Sequence, residues 1–394
     1  MMSTKSKAPL AAIIWGEGAH GKLGLGDTQR QDYPVVLDID NFDGEGLKDI
    51  RCGHNTTAAI TESGRLYMWG SQKYFLCGNG VSSGYYDTPT VVEFFKDKPV
   101  RDVQLGPTTT FVITESGSLY SWGWGGGLTS AGCLGHGDWE SREEPTVVEF
   151  FEDKKLMDVA VGGYHATSVV EGGRVYSWGR GAYGRLGVGA SSDHHTPTEV
   201  PLFEYQPAKY VAAGDAYCSA LTENGQLYSW GANDNLQLGI GPSPTLDVQS
   251  MEADPQAVRG VNYSMCAATA IACGGKHGIA LMTDGKAYEW GAHRSAIANL
   301  VEYLDDEWGV AAPGEKLTDF KVTDISAGKN FSAVVTETGE MFTWGGTTKC
   351  LGIGENTWVK APIMFANRDD FEFPLIRKVS CGQDHMAALF EDDY

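Results

Sequence analysis

The chain has 394 residues, 42% of them hydrophobic and 21% charged, which is ample to bury a large core without covalent staples. Its formal charge is −21, and the only short basic cluster is STKSK at 3–7. That is too little positive charge to neutralise a phosphate lattice, so neither direct nucleic acid nor an anionic membrane is expected as a partner, and a basic protein surface is the better complement. No stretch reaches the length of a membrane span. The eight cysteines contain no C-x-x-C pair, and Cys52, Cys273 and Cys381, each before a glycine, read as small buried thiols of a reduced intracellular protein, cytoplasmic or nuclear.

From the N-terminus, PLAAIIWG (9–16) is apolar but short, lacks a small-residue cleavage site and runs into a glycine pattern, so it reads as a strand and not a signal peptide. The glycines of GEGAHG (16–21) spell G-x-G-x-x-G, and Gly179–Gly184 spell it again. A dinucleotide fingerprint must follow a strand, open a helix and lead to an acidic residue about 20 positions on. Here each copy precedes another turn and a Pro-led strand. Degraded copies recur in GSQKYFLCG, GANDNLQLG and GGTTKCLG. Glycines repeated at one place in successive units serve backbone geometry, and no cofactor is expected.

The recurrence is regular. Trp-Gly stands at Trp15, Trp69, Trp122, Trp178, Trp230, Trp290 and Trp344, with a further copy at Trp308 out of phase. Gly53, Gly106, Gly162, Gly214, Gly274 and Gly328 each lie 16 residues before one of these pairs. Each unit then reads as an apolar run, an X-Gly turn such as Asn224-Gly225, an alternating run ending in Trp-Gly, a glycine-rich stretch, a Pro-led strand such as TPTVV, and a strand leading to the next landmark glycine. That is four strands per unit. Seven such units predict an all-β fold, a seven-bladed β-propeller of four-stranded blades forming one domain over 1–394. The chain starts with half a unit and ends, after Gly382, with the complementary half, so the terminal segments are expected to pair and close the ring.

The skeleton V-x-C-G-x-x-H-x-x-A-L, G-x-(V/L)-Y-x-W-G and L-G-x-G, clearest at 159–189 and 211–241, resembles the repeats of the regulator of chromosome condensation family. That resemblance implies the seven-bladed propeller. Its members include an exchange factor for the small GTPase Ran, a plant ultraviolet photoreceptor and many interaction modules. The photoreceptor is marked by Trp after landmark glycines, whereas this chain has His54, Pro107, Gly163, Asp215, Gly275, Lys329 and Gln383 there. For the exchange factor, the resemblance implies acidic and histidine residues in the landmark loops and a wedge after the third Trp-Gly. Trp122 to Gly135 spans 13 residues against nine in four other units, so WGGGLTSAG (124–132) is the candidate wedge. His277 and His385 match the histidine column, while Pro107 and Tyr164 stand where acids are expected.

Three histidines, His165, His277 and His385, fall three residues after their glycines, a repetition that suggests hydrogen bonding between strands. His194-His195 lies in a polar stretch without further ligand spacing and reads as a solvated loop, so no metal is expected. Trp124, Trp139, Trp308 and Trp358 lie outside the repeat skeleton, where an aromatic is a candidate interface anchor. After Trp290, Ile297, Leu300, Val301 and Leu304 follow the i, i+3, i+4, i+7 spacing of a short helix ending in Asp305, Asp306 and Glu307. No catalytic constellation emerges. The sequence therefore predicts a non-catalytic protein-interaction platform presenting the loops 124–132, 240–270 and 293–316. Its candidate contact residues are Trp124, Leu128, Trp139, Asp215, His277, Asp305, Asp306, Glu307, Trp308, Asp384 and His385. Two alternatives are an exchange factor for a Ran-like GTPase and a structural subunit of a cytoskeletal or ciliary assembly.

Overall fold

The computed structural model describes residues 10–127, 130–241, 250–292, 294–302, 316–346, 349–354, 359–364 and 375–391. Seven four-stranded antiparallel sheets are arranged as blades. The first blade shows the plan: Leu47–Cys52, Thr56–Thr61, Leu66–Ser71 and Tyr85–Val91, hydrogen-bonded in that order. Its innermost strand leads to the landmark glycine and lines a central channel. The Trp-Gly strand comes third, and the proline-containing strand forms the outer edge. The X-Gly turns behave as the sequence requires, with Gly64, Gly117, Gly173, Gly225, Gly285 and Gly339 at φ between +79° and +90°.

The seventh blade joins the two ends of the chain. Leu10–Gly16 pairs with His385–Glu391 over seven residues, from Leu10 opposite Glu391 to Gly16 opposite His385. Two strands from each end complete this sheet.

The core lies between blades. Ala58, Ile60, Leu66 and Met68 of the first blade, for example, pack with Phe95, Val100, Val103, Val112 and Trp122 of the second or the connection leading to it. All seven repeat tryptophans are at most 1% exposed. Each indole Nε1–H reaches back to the preceding blade. Trp69 donates to the Lys22 carbonyl (2.9 Å), Trp122 to Leu76 (2.9 Å), Trp178 to Cys133 (2.6 Å), Trp230 to Arg185 (3.0 Å), Trp290 to Gln237 (2.9 Å) and Trp15 to Cys350 (2.8 Å). These carbonyls belong to the glycine-rich stretches. A Cβ on Gly24 or Gly187, both at φ +73°, would stand 2.7 Å from the indole nitrogen of Trp69 or Trp230. The glycines therefore let the loop press against the next blade's tryptophan.

One junction departs from the rule. Trp344 donates instead to the Glu289 carboxylate (2.9 Å), which also holds Arg294 Nε at 2.7 Å. The preceding unit is the one whose glycine-rich stretch is replaced by HRSAIANL. The helix expected there does not form over the described part. Asn299–Leu300 is a strand opposite Tyr288 and Glu289, and Ile297 bridges to Ile240. The open edge of the Trp290 strand offers backbone groups to this segment, and only four apolar positions supported a helix. Residues 303–315 lie outside the described residues.

Two smaller corrections concern edges. The outer strands begin three or four residues before their prolines (Gln31, Tyr85, Arg142, His194 and Met251 before Pro34, Pro89, Pro145, Pro197 and Pro255). His194 and His195 thus open a strand and are not a solvated loop.

Replacing Trp178 by Phe keeps the ring but strands the Cys133 carbonyl. We expect a loss of about 1–3 kcal/mol, read as a lower denaturant midpoint at unchanged slope. Replacing Glu289 by Ala leaves Arg294 and the Trp344 N–H without their acceptor, and a loss of about 3–5 kcal/mol is expected in the same measurement.

Candidate partner-binding site

The landmark loops meet around one mouth of the channel. There a cavity of about 420 Å³ is lined by His54, Pro107, Tyr164, Asp215, Lys329 and Gln383 together with the landmark glycines. Its floor is a waist of one residue per blade, Cys52, Leu105, Val161, Ala213, Cys273, Ala327 and Cys381. All eight cysteines are free, and burial pushes the Cys52 thiol up to about 12 and Cys273 to about 11. Both are half-buried, more open than their apolar context suggested.

Beyond the waist the channel widens to about 640 Å³ between Asp49, Asp102, Asp158, Asp324 and Arg51. These carboxylates serve the backbone. Asp158 accepts from its neighbour Val159 (3.0 Å) and from Val211 of the next blade (2.9 Å), and Asp324 accepts from Val379 (2.9 Å). Burial, reinforced by Asp102, raises Asp158 to about 7, and burial raises Asp324 to about 6. Among the described residues, no group of three or more His, Cys, Asp or Glu is placed to hold a metal ion.

At the mouth the loops are laced by backbone hydrogen bonds on one side only. The Asp215 N–H donates to Gly275 O (3.1 Å), Gly275 N–H to Lys329 O (3.1 Å), Lys329 N–H to Gly382 O (3.3 Å) and Gln383 N–H to Gly53 O (3.0 Å). This belt runs from the fourth blade round to the first. Among the described residues no equivalent bond leaves His54, Pro107 or Gly163. Pro107 has no N–H to give.

The expected contact residues divide sharply. His277 and His385 are enclosed, at 1% and 0% exposure. Their Nε2 atoms meet Ser332 Oγ (3.0 Å) and Thr57 Oγ1 (2.8 Å) of the next blade, as His165 meets Cys218 Sγ at 3.0 Å. Their side chains are therefore interblade ties with no face left for a partner. Asp384 is partly exposed and holds the buried Lys22 ammonium at 2.5 Å, whereas Asp215 is exposed on the rim. Trp139 is 46% exposed and packs its ring 4.2 Å from His195. Trp124 is half-buried, 6.2 Å from the Tyr74 ring and 6.5 Å from Tyr164. The stretch after Trp124 forms a two-stranded hairpin, Gly126–Gly127 with Ser130–Ala131. Leu128, Asp305, Asp306, Glu307, Trp308 and Trp358 lie outside the described residues.

Sequence reasoning missed Tyr74, Tyr164 and Arg180. Tyr74 and Tyr183 share one signal, each being the fifth residue after its repeat tryptophan and each at positive φ (62° and 64°). This conformation turns the residue out of the loop.

Seven four-stranded blades closed by the terminal strands make this a seven-bladed β-propeller with an interblade tryptophan tether. The model of the regulator of chromosome condensation (RCC1) repeat matches residues 13–60, 63–113, 116–169, 172–221 and 224–281, and the chain belongs to that family. It is 31% identical to the ultraviolet-B receptor UVR8 of Arabidopsis thaliana over 87% of this chain and 74% of that protein. It is 30% identical to the mitochondrial RCC1 domain-containing protein RUG3 of the same plant, over 96% and 88%. Among solved structures, Prp20p of Saccharomyces cerevisiae, characterised for its binding to Gsp1p and histones, superposes with a TM-score of 0.80 at 21% identity over 99% of this chain and 93% of that one. No helix among the described residues is long and apolar enough to cross a membrane.

The buried histidines give the fold a pH signature. Burial, with the Arg185 charge adding to it, lowers His165 to about 3, and burial takes His277 and His385 well below 6.5. The unfolded chain takes up protons near pH 6.5 that the folded chain refuses. Their contribution to stability is thus complete above that pH and falls as pH drops towards 3, while the raised Asp158 and Asp324 carboxyls, which take up protons in the folded chain, oppose it between about pH 7 and pH 4. Replacing His385 by Gln is expected to flatten this dependence in thermal melts taken between pH 7 and pH 4.

Proposed function

We propose that the chain is a non-catalytic protein-interaction platform that displays the landmark-glycine face to another protein. The supporting observation is the combination of a rigid ring with exposed aromatics on that face. Tethered blades hold the loops in place before a partner arrives, so little ordering is required on binding. Trp124, Trp139, Asp215 and Asp384 are the sequence-predicted contacts whose side chains reach this surface or its margin. The charge of −21 supports a protein partner and gives nucleic acid and anionic lipid no footing. The skeleton lacks the Trp-bearing landmark context tied to ultraviolet reception, so light sensing is not part of this reading.

A second reading, exchange activity on a Ran-like small GTPase, is favoured by one specific feature: the hairpin inserted after the third Trp-Gly. Against it stand Pro107 and Tyr164 in place of acids, and the burial of both histidines of the family column. The two readings part in a single assay. The platform predicts that the full chain leaves the release of labelled GDP from Ran unchanged, yet retains a stable, saturable protein partner that is lost when 124–132 is shortened to the length of the other units. Acceleration of release tenfold or more would establish the exchange reading instead, and the lack of any saturable partner would remove the platform.

A further inference from the structure

The sector of this face over the first three blades differs from the rest in three independent ways, and the differences coincide. The first is a strip of rings. Tyr74, Trp124 and Tyr164 come from three successive blades or their connections, with neighbouring ring centroids 6.2 Å and 6.5 Å apart. Alternate side chains of an extended peptide repeat at about 6.6 Å, twice the rise per residue. The strip therefore matches the side-chain period of an extended segment lying across the blades.

The second difference is charge. Lys73 Nζ lies 4.8 Å from the Tyr74 ring centre and the Arg180 guanidinium 6.0 Å from that of Tyr164. The two cations thus flank the strip, and neither forms an ion pair with a described residue. The stretches that build the sector, 53–55, 72–76, 106–108, 124–127, 162–164 and 180–185, contain no Asp or Glu in a chain that holds 51. Asp193, beside the last of them, already accepts the Gly181 N–H at 2.8 Å, and Asp138 and Glu140, on the loop that returns past Gly125, face Arg142 at 2.7 Å and 3.9 Å. Across the mouth, Asp215, Asp234 and Asp384 stand on the belted side beside Lys276 and Lys329, with Asp234 3.7 Å from Lys276 and Asp384 2.5 Å from Lys22.

The third difference is open hydrogen-bonding capacity. The backbone belt that joins the fourth blade to the first is missing between His54, Pro107 and Gly163. The His54 Nδ1 at the same mouth is buried with no hydrogen-bond partner among the described residues. Elsewhere on the face, landmark amides are consumed by the next loop.

From this coincidence we propose that the first-to-third-blade sector is the docking site for an extended, acidic segment of a partner protein. Its apolar side chains stack on the Tyr74–Trp124–Tyr164 strip, and its carboxylates meet Lys73 and Arg180. The charge-assisted contacts at the two ends fix direction and register, and the aromatic strip supplies the contact area. The proposal rests on the platform reading and specifies the chemistry of what the platform holds. It reverses the expectation of a basic partner, because net charge averages over a surface whose ring-lined sector has the opposite sign.

The test is to pan a displayed random dodecamer library on the full chain and measure the enriched peptides by fluorescence anisotropy. Enriched peptides are expected to carry net negative charge with at least one aromatic or aliphatic residue. Their affinity should fall tenfold or more in Lys73→Glu/Arg180→Glu, which changes surface groups only, and in Trp124→Ala. It should hold within twofold in Lys276→Glu/Lys329→Glu, and circular dichroism melts establish that every variant is folded. Acidic peptides that bind all variants equally would overturn the proposal, as would enrichment of neutral or basic peptides alone, or no enrichment relative to the charge-reversed variant. Basic peptides seated on the Asp215 side would sink this inference while leaving the platform intact. An absence of any saturable protein partner for the full chain would remove both.

Discussion

The fold depends on one repeated contact, the hydrogen bond from a buried indole N–H to a carbonyl of the preceding blade. A tryptophan core position must satisfy its single donor, and in a propeller the neighbouring blade is the only surface close enough to do so. That requirement shapes the glycine-rich stretch. The loop must turn its carbonyl inward and bring its backbone against the indole, so a side chain at Gly24 or Gly187 would collide with the ring it serves. A pattern that imitates a phosphate loop is thereby occupied on its inner side by protein.

The same logic explains the exception at Trp344. Where the glycine-rich loop is lost, no carbonyl arrives, and a carboxylate from the neighbouring Trp-Gly strand takes its place. Glu289 is then a charge in a nearly enclosed setting, so Arg294 is required beside it, with side-chain exposures of 17% and 6%. One donor has been satisfied by a three-member polar cluster in place of a backbone atom. The histidines and Asp158 act in the same spirit. Each spends its polar groups on the next blade, which makes the ring a set of reciprocal interblade ties rather than seven separate sheets.

Rigidity and asymmetry together define the functional face. The belt of landmark-loop hydrogen bonds locks the fourth blade through the seventh to the first. Pro107, having no N–H, cannot extend it at one junction, His54 and Gly163 make no such bond among the described residues, and the aromatic strip and inserted hairpin occupy the sector left open. Charge is divided as well: Lys73 and Arg180 on the open side pair with no described carboxylate, whereas the belted side holds Asp215, Asp234 and Asp384 together with Lys276 and Lys329. A nearly symmetric scaffold has been given one distinct sector by changes at a few loop positions, which leave its core untouched.

Architecture was written in the sequence because a propeller repeats its physics. Seven Trp-Gly pairs, X-Gly turns at constant offset and complementary half-units at the two ends each report a local constraint that recurs, and recurrence separates it from chance. What did not recur was not legible. Ile297–Val301 carried a helical spacing over one turn, yet an unpaired strand edge captured the segment. The recurring histidine column did suggest hydrogen bonds between strands, but only the burial of His277 and His385 shows that this role leaves neither a surface for a partner. Tyr74, Trp124 and Tyr164 lie far apart in the chain and share no motif, and the curvature of the ring alone makes them neighbours. The sequence by itself determined the number of blades, their strands and the closure, since those follow from near-neighbour backbone and packing rules. The tertiary structure decided which loops meet and which charges are left unpaired, because those depend on distances between residues that no local pattern relates.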